Sequence, residues 1–202
     1  MRVIGLLLAA GSGSRMGLAK ALIRDNTGTP WVVRQSRVLR NGGCSHVTVV
    51  LGAEYAAAAA VLVDEPVDTV RNHDWAQGMG SSLRLGLSRL TVADGCISGP
   101  ADAEAVLVAL VDTPGMTADV VRRLIGLAGP AALARATYHG TPGHPVLIGR
   151  LHWGAAAASV EGDQGARAYL REHQASLVEC ADLASGDDVD EPGQLPPGAT
   201  FS

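Results

Sequence analysis

Lysine and aromatic residues are scarce in this chain of 202 residues. Aromatic side chains make up 3% of the sequence, although 47% of it is hydrophobic. A core must therefore be built from Ala, Val and Leu, which suits helices packed on a sheet. Lysine occurs once, at position 20, and every other basic residue is arginine. Because Lys is a flexible point charge and Arg a rigid fork, this single Lys predicts contact with a bound phosphate.

Cysteine and positive charge are also limited. Cys44, Cys96 and Cys180 are widely spaced, odd in number and without C-x-x-C pairing, which predicts reduced thiols rather than a disulfide framework or a zinc site. The net charge of −4 predicts no general attraction to nucleic acid or to a membrane surface. The apolar run 3–10 is too short for a signal peptide or a membrane span. We therefore expect a cytoplasmic protein.

Short apolar runs alternate with helical segments along the chain. Strands are predicted at 3–10, 47–51, 67–70, 105–111, 133–138, 145–148 and 177–180. Helices are predicted at 30–40, 53–63, 83–90, 117–127 and 163–173, with Thr29 and Thr117 as caps and Pro30 at a first helical position. This alternation predicts a single α/β domain over residues 1–202, a three-layer α/β/α sandwich with a mostly parallel sheet. Residues 192–202 are expected to form a loose tail.

A glycine-rich loop follows the first predicted strand. It reads G-S-G-S-R-M-G over residues 11–17. The loop is not a Walker A motif, because no G-K-[ST] follows, and it is not G-x-G-x-x-G, because three residues separate Gly13 from Gly17. Glycines let backbone N–H groups approach phosphate oxygens, and Arg15 and Lys20 together would neutralise a triphosphate.

Five blocks of the sequence carry a family resemblance. They are L-A-A-G-S-G-S-R-M-G-L-A-K (8–20), N-H-D-W-A-Q-G-M-G-S-S-L-R-L-G-L (72–87), L-V-D-T-P-G-M (110–116), G-T-P-G-H-P-V-L-I (140–148) and G-D-Q-G-A-R (162–167). In this order the blocks resemble those of the nucleotidyltransferases of the nucleotide-diphospho-sugar transferase fold. Within that group the chain is most similar to the molybdenum-cofactor cytidylyltransferases and their MobA-like relatives. The five blocks cover nearly the whole chain, and the resemblance implies a Rossmann-like fold.

The resemblance also implies roles for individual residues. Lys20 and Arg15 would be catalytic. The nucleotide would be bound by these two and by Leu8, Ala9, Ala10, Gly11, Ser12, Gly13, Gly78, Gly80 and Ser82. The acceptor would be contacted by His144, Asp163, Gln164 and Arg167, and His144 would equally fit a hydrogen bond within its own loop.

Two carboxylates are implied as ligands of Mg²⁺, with Mn²⁺ as a substitute. Asp112 follows the strongest predicted strand, where ligands bind in open α/β sheets. Its position alone would equally fit an Asp that starts a turn before Pro114. The second acidic block, D-D-V-D-E-P-G-Q-L (187–195), departs from the family pattern at several positions, and it favours Asp190 over Asp188. Without the resemblance, this block would read as an acidic solvated segment.

The implied reaction joins a nucleotide to molybdopterin carrying molybdenum and releases pyrophosphate. CTP is expected over GTP or another NTP, because Ala9-Ala10-Gly11 has no extra glycine of the kind found in the guanylyl relatives. A molybdoenzyme or its maturation factor would be a partner. Three alternatives stay open: a same-fold enzyme acting on a sugar phosphate or small phospho-acid, a non-catalytic chaperone for nucleotide or molybdopterin, and an NAD(P)-binding Rossmann protein. The last would carry an acidic residue at the end of its second strand, where this chain has Gly52-Ala53 and then Glu54.

Overall fold

The computed structural model describes residues 2–91, 102–160 and 165–201. Its strands are β1 Val3–Ala9, β2 His46–Leu51, β3 Asp68–Arg71, β4 Ala105–Leu110, β5 Leu133–Tyr138, β6 Thr141–Gly149 and β7 Ser176–Glu179. They form one sheet in the order β3-β2-β1-β4-β6-β5-β7. Only β6 runs against the other described strands, because it pairs antiparallel with both β4 and β5. The predicted mostly parallel sheet is confirmed.

Helices cover both faces of this sheet. They are α1 Trp31–Asn41, α2 Tyr55–Ala60, α3 Met79–Thr91, α4 Ala118–Ile125, α5 Trp153–Ser159 and α6 Arg167–Glu172. Apolar residues of α1, α2 and α4 pack with Leu7 of β1 on one face, and those of α3, α5 and α6 pack with Leu6 and Leu8 on the other. The predicted three-layer α/β/α sandwich is therefore confirmed. Within the described ranges no helix combines the length and the hydropathy needed to cross a membrane.

Several predicted helix boundaries were wrong. Pro30 is the N-cap of α1 rather than its first residue, and it pairs instead with Arg24 in an isolated bridge. Helices α2 and α6 are shorter than predicted, whereas α3 begins at Met79, four residues before the predicted start. The Thr117 cap is confirmed, since its hydroxyl accepts the backbone N–H of Val120 at the start of α4.

The segment from residue 187 to 201 does not hang free, contrary to the predicted loose tail. The Val189 N–H donates to the carbonyl of Asp112 at 2.9 Å. Thr200 and Arg24 exchange two backbone hydrogen bonds, of 2.9 and 3.0 Å. These contacts hold the segment against the loop after β4 and the loop before α1, so Asp190 lies at the edge of the sheet.

Candidate active site

A cavity of about 480 Å³ opens at the carboxyl ends of β1 and β4. The two strands are parallel and pair Leu8 with Leu110, so the residues that follow them meet at one edge of the sheet. The glycine-rich loop, the start of α3 and the segment around Asp190 complete the walls. The lining residues are Leu8, Ala9, Ala10, Gly11, Ser12, Gly13, Ser14, Arg15, Lys20, Trp75, Ala76, Gly78, Met79, Ser82, Leu110, Val111, Asp112 and Asp190.

Lys20 joins two carboxylates in this cavity. Its Nζ lies 2.9 Å from Asp112 Oδ2 and 2.5 Å from Asp190 Oδ1, and its side chain is 14% exposed. Burial alone would lower the pKa of Lys20, but the charge of Asp112 and the hydrogen bonds to both carboxylates raise it. Lys20 is therefore a fixed cation held between two anions. Arg15 is more open, with its Nη1 3.8 Å from Asp190 Oδ2.

Asp190 is held in place by an amide that sequence reasoning missed. The side-chain oxygen of Gln194 accepts the backbone N–H of Asp190 at 2.7 Å and that of Glu191 at 3.0 Å. Glu191 and Gln194 form a capping box around the turn Pro192–Gln194. The signal available in the sequence is the Glu-Pro-x-Gln spacing, which fits such a box.

Asp112 carries an unpaired buried oxygen. Its Oδ1 has no hydrogen-bond partner among the described residues. Such an atom costs free energy unless a ligand completes it. Mg²⁺ and Mn²⁺ prefer carboxylate oxygens, and Mg²⁺ commonly uses one or two carboxylates together with substrate phosphates. Asp112 and Asp190 fit that pattern, although no cluster of three or more His, Cys, Asp or Glu suited to a metal occurs in the described ranges.

Asp188 lies near the same cluster without joining it. Desolvation, followed by the charges of Asp112 and Asp190, raises its pKa to about 6, although its side chain remains accessible to solvent. Asp190 is the one of the two that contacts Lys20 and lines the cavity. The geometry therefore favours Asp190 as the second carboxylate.

The glycine-rich loop has one position that only glycine fits. Gly13 has a φ of +60°, and a Cβ there would lie 2.0 Å from the Leu18 carbonyl oxygen. Its own carbonyl accepts the N–H groups of Met16 and Gly17, which closes the loop into a tight turn. A Cβ on Gly11 would meet nothing within 4 Å, so the lining of the cavity is open there. This open face leaves room for a phosphate against the backbone.

Buried Asn72, another residue that sequence reasoning missed, organises the wall opposite the loop. Its Nδ2 donates to Ser81 Oγ at 2.8 Å and to Ser82 Oγ at 2.9 Å, while its Oδ1 accepts the N–H of Asp74. The available signal was the Asn that opens the N-x-x-W block. Asn72 thereby ties the end of β3 to the first turns of α3.

The structure places only some of the predicted residues of this wall at the cavity. Gly78, with a φ of +101°, and Ser82 line the cavity, together with partly buried Trp75. Gly80 does not line it, because α3 begins one residue earlier and Gly80 is buried in the first turn. The predicted start of this helix at residue 83 was wrong, because Ser82 already lies within α3.

A smaller cavity of about 40 Å³ adjoins the first and shares Leu8 and Met79 with it. His144 and Arg167, both predicted to contact the acceptor, line this second cavity together with Arg135. Burial and then the positive charges of the two arginines lower the pKa of His144 to about 3, so its imidazole is neutral. The other two predicted acceptor residues, Asp163 and Gln164, lie outside the described residues.

Arg135 gave no sequence signal, because it stands in a strand between alanines. Its side chain is 9% exposed, and it donates from Nε to the Gly143 carbonyl at 2.9 Å and from Nη2 to the Pro142 carbonyl at 3.3 Å. The register of β5 against β6 shifts just beyond it, as at bulges that re-aim side chains. None of the ion pairs between described residues involves Arg135 or Arg167.

Comparisons with known proteins match most of the chain. Residues 5–177 match the model of the MobA-like NTP transferase domain. The nicotine blue oxidoreductase of Paenarthrobacter nicotinovorans is 36% identical over 205 residues, which cover 96% of this chain and 94% of that protein.

Solved structures agree on the fold. Rv0371c from Mycobacterium tuberculosis H37Rv superposes with a TM-score of 0.75 at 25% identity, covering 95% of this chain and 94% of that one. Its complex with manganese gives a TM-score of 0.68 at 25% identity, with 89% and 87% covered. A nucleotidyl transferase from Methanothermobacter gives a TM-score of 0.75 at 20% identity, covering 95% of this chain and 93% of that one, which shows likeness of fold.

Proposed function

This chain belongs to the MobA-like NTP transferase family, and from that membership we propose that it transfers a nucleotide from a nucleoside triphosphate to a phosphorylated acceptor and releases pyrophosphate. The observation that carries the proposal is Lys20 held between Asp112 and Asp190 beside the glycine-rich loop. A compact cation and two carboxylates at the carboxyl edge of a parallel sheet suit a polyphosphate and its divalent cation.

In the proposed reaction an oxygen of the acceptor phosphate attacks the α-phosphorus of the triphosphate. The bond from that phosphorus to its bridging oxygen breaks, and pyrophosphate leaves with the electron pair. Lys20 and Arg15 stabilise the charge of the triphosphate and of the leaving group, while the loop at Gly11 to Gly13 seats the phosphates. Asp112 and Asp190 would hold Mg²⁺ or Mn²⁺, which supplies further neutralisation of phosphate oxygens when bound. Catalysis then rests on positioning and electrostatics, without a covalent enzyme intermediate.

CTP and molybdopterin carrying molybdenum are the proposed substrates, in the cytoplasm, with a molybdoenzyme or its maturation factor receiving the product. The support for CTP is the Ala9-Ala10-Gly11 entry, which resembles the cytidylyl relatives. Discrimination between bases needs buried donors and acceptors that a wrong base leaves unpaired. From the segment 78–82, Gly78, Met79 and Ser82 line the cavity, and this segment is the proposed source of those groups.

A second candidate function is oxidoreduction, favoured by the 36% identity to a protein named nicotine blue oxidoreductase. In that case the glycine-rich loop would bind the pyrophosphate of a reduced nicotinamide dinucleotide, and nicotine blue would reoxidise the dinucleotide. The carboxylate expected to hold the ribose would come from Glu54 beyond β2. Glu54 is exposed and is not among the described residues that line the large cavity, which makes this candidate the weaker one.

Pyrophosphate release measured with each of the four NTPs, with and without molybdopterin, tests the transfer reaction. We expect release that requires both CTP and acceptor and is lost in Lys20→Ala but kept in Arg40→Ala, an exposed cation of α1. CTP and GTP at equal concentration then show which nucleotide enters the product. Preference for GTP would move the chain to the guanylyl branch. Oxidation of NAD(P)H by nicotine blue, with no pyrophosphate released from any NTP, would establish the second candidate instead.

A further inference from the structure

The second cavity contains two guanidinium groups without a described counter-ion. Arg135 is nine-tenths buried, and both it and Arg167 line the cavity. Two carbonyl groups satisfy part of the Arg135 fork, but neither arginine forms an ion pair with a described residue. A buried charge without a partner is costly, so such an arrangement points to a ligand of opposite charge.

The two arginines also oppose each other. Burial and then the charge of Arg167 lower the pKa of Arg135, while the negative charge of Asp188 raises it by a smaller amount. Neutral His144 offers a further polar atom without adding positive charge. An oxyanion bound between the two forks would remove the repulsion, and a planar fork binds phosphate or carboxylate through paired hydrogen bonds.

The remaining lining of this cavity is apolar. It consists largely of Leu8, Met79, Leu83, Val108, Val146, Ile148 and Leu170. An apolar surround lowers the local dielectric and strengthens a charged hydrogen bond formed inside it. This cavity shares Leu8 and Met79 with the large cavity that contains Lys20, and its other lining residues are different. We call the large cavity the polyphosphate cavity, after the function proposed for it.

We propose that Arg135 and Arg167 form an oxyanion subsite, separate from the polyphosphate cavity, that anchors a phosphate, sulfate or carboxylate group of the acceptor away from the oxygen that attacks. Arg135 is the specificity-determining residue of this subsite, because it is buried and held in a fixed orientation by the carbonyls of Gly143 and Pro142. The identification of the anion's carrier as the acceptor rests on the proposed function, whereas the anion site itself does not.

Calorimetric titration with inorganic phosphate, sulfate or acetate, at constant ionic strength and without nucleotide, tests the subsite. The informative variant is Arg135→Gln, whose amide can still donate to the Gly143 carbonyl but carries no charge. Arg167→Gln, at an exposed position, serves if Arg135→Gln fails to fold. Arg150→Gln, an exposed arginine in the turn after β6, is the matched control, and Lys20→Ala removes the cation of the other cavity.

We expect the phosphate affinity to fall at least about tenfold in Arg135→Gln and in Arg167→Gln, and to stay within about twofold in Arg150→Gln. Tighter binding of phosphate or sulfate than of acetate would identify a phosphate or sulfate ester as the anchored group, and the reverse order would identify a carboxylate. Unchanged binding in a folded Arg135→Gln, loss of binding in Lys20→Ala alone, or no anion binding by the wild type would overturn the proposal. Because no turnover is measured, failure of nucleotidyl transfer would leave this result untouched.

Discussion

Replacing Lys20 by Met should lower both the stability and the activity of this protein, and a second substitution should restore only the stability. The change keeps the aliphatic stem but removes the ammonium that contacts Asp112 at 2.9 Å and Asp190 at 2.5 Å. Asp112, whose side chain is 22% exposed, then loses its cation, whereas Asp190, at 50%, can be rehydrated. Breaking a fully buried ion pair costs about 3–5 kcal/mol, and breaking an exposed one costs less than about 1 kcal/mol. We therefore expect the free energy of unfolding to fall by about 2 kcal/mol.

Turnover should fall by at least about a hundredfold in the same variant, since one charge contact in the transition state is commonly worth a few kcal/mol. The double variant Lys20→Met with Asp112→Asn should regain most of the lost stability, because the unpaired charge is gone, but none of the turnover. Denaturant unfolding and pyrophosphate release at saturating NTP provide the two measurements. Lys20→Arg should also be impaired, since a fork does not replace a point charge at this range. Near wild-type turnover in a folded Lys20→Met would refute the phosphate role of Lys20.

Three further predictions follow from the site. Activity should require Mg²⁺ or Mn²⁺, and Asp112→Asn should lose both metal-dependent turnover and Mn²⁺ binding measured by electron paramagnetic resonance; full activity in excess chelator would contradict this. Gln194→Ala should weaken Mn²⁺ affinity roughly tenfold with little change in melting temperature, as expected for a group that orients a ligand; unchanged affinity would show that the Gln194 amide does not position Asp190. Burial and the charges of Arg135 and Arg167 lower the pKa of His144 to about 3 in the folded state. In the unfolded state its pKa is about 6.5. The unfolded state therefore takes up the proton first, and the free energy of unfolding decreases as the pH falls from about 6.5 toward 3. His144→Gln should reduce that loss between pH 7 and pH 5 in denaturant titrations, and an unaltered pH dependence would count against a neutral buried imidazole.

Much of the sheet could be predicted because β1 and β4 are continuous apolar runs, as expected for strands buried on both faces. The position of Asp112 beyond β4 then followed from the rule that ligands bind beyond the carboxyl ends of parallel strands. Lys20 was instead singled out because it is the one lysine of the chain and follows the glycine-rich loop. Helix limits were less accurate. Pro30 fits the first position of a helix locally, yet the bridge to Arg24 makes it the cap.

The residues that sequence reasoning missed act through partners that no local pattern specifies. Arg135 is notable only because a bulged hairpin brings it to His144 and Arg167. Gln194 matters because Asp190 has to meet Lys20, and the loose-tail prediction failed because Thr200 finds its partner in Arg24. From its composition alone, such a segment is predicted to be a solvated end of the chain.

Lys20 and Asp190 are 170 residues apart in the chain and meet in one cavity, which sets the order in which this protein becomes competent during synthesis. The glycine-rich loop and β1 leave the ribosome before β4, which pairs with β1 in the sheet, and before the segment around Asp190. Until the segment around Asp190 has also emerged, Lys20 has only Asp112 as a partner. Each nascent chain therefore passes through an interval in which Lys20 has been made but the pair of carboxylates is incomplete. A polypeptide released in that interval would carry the glycine-rich loop without Asp190, so the proposed chemistry becomes available only once nearly the whole chain has been made.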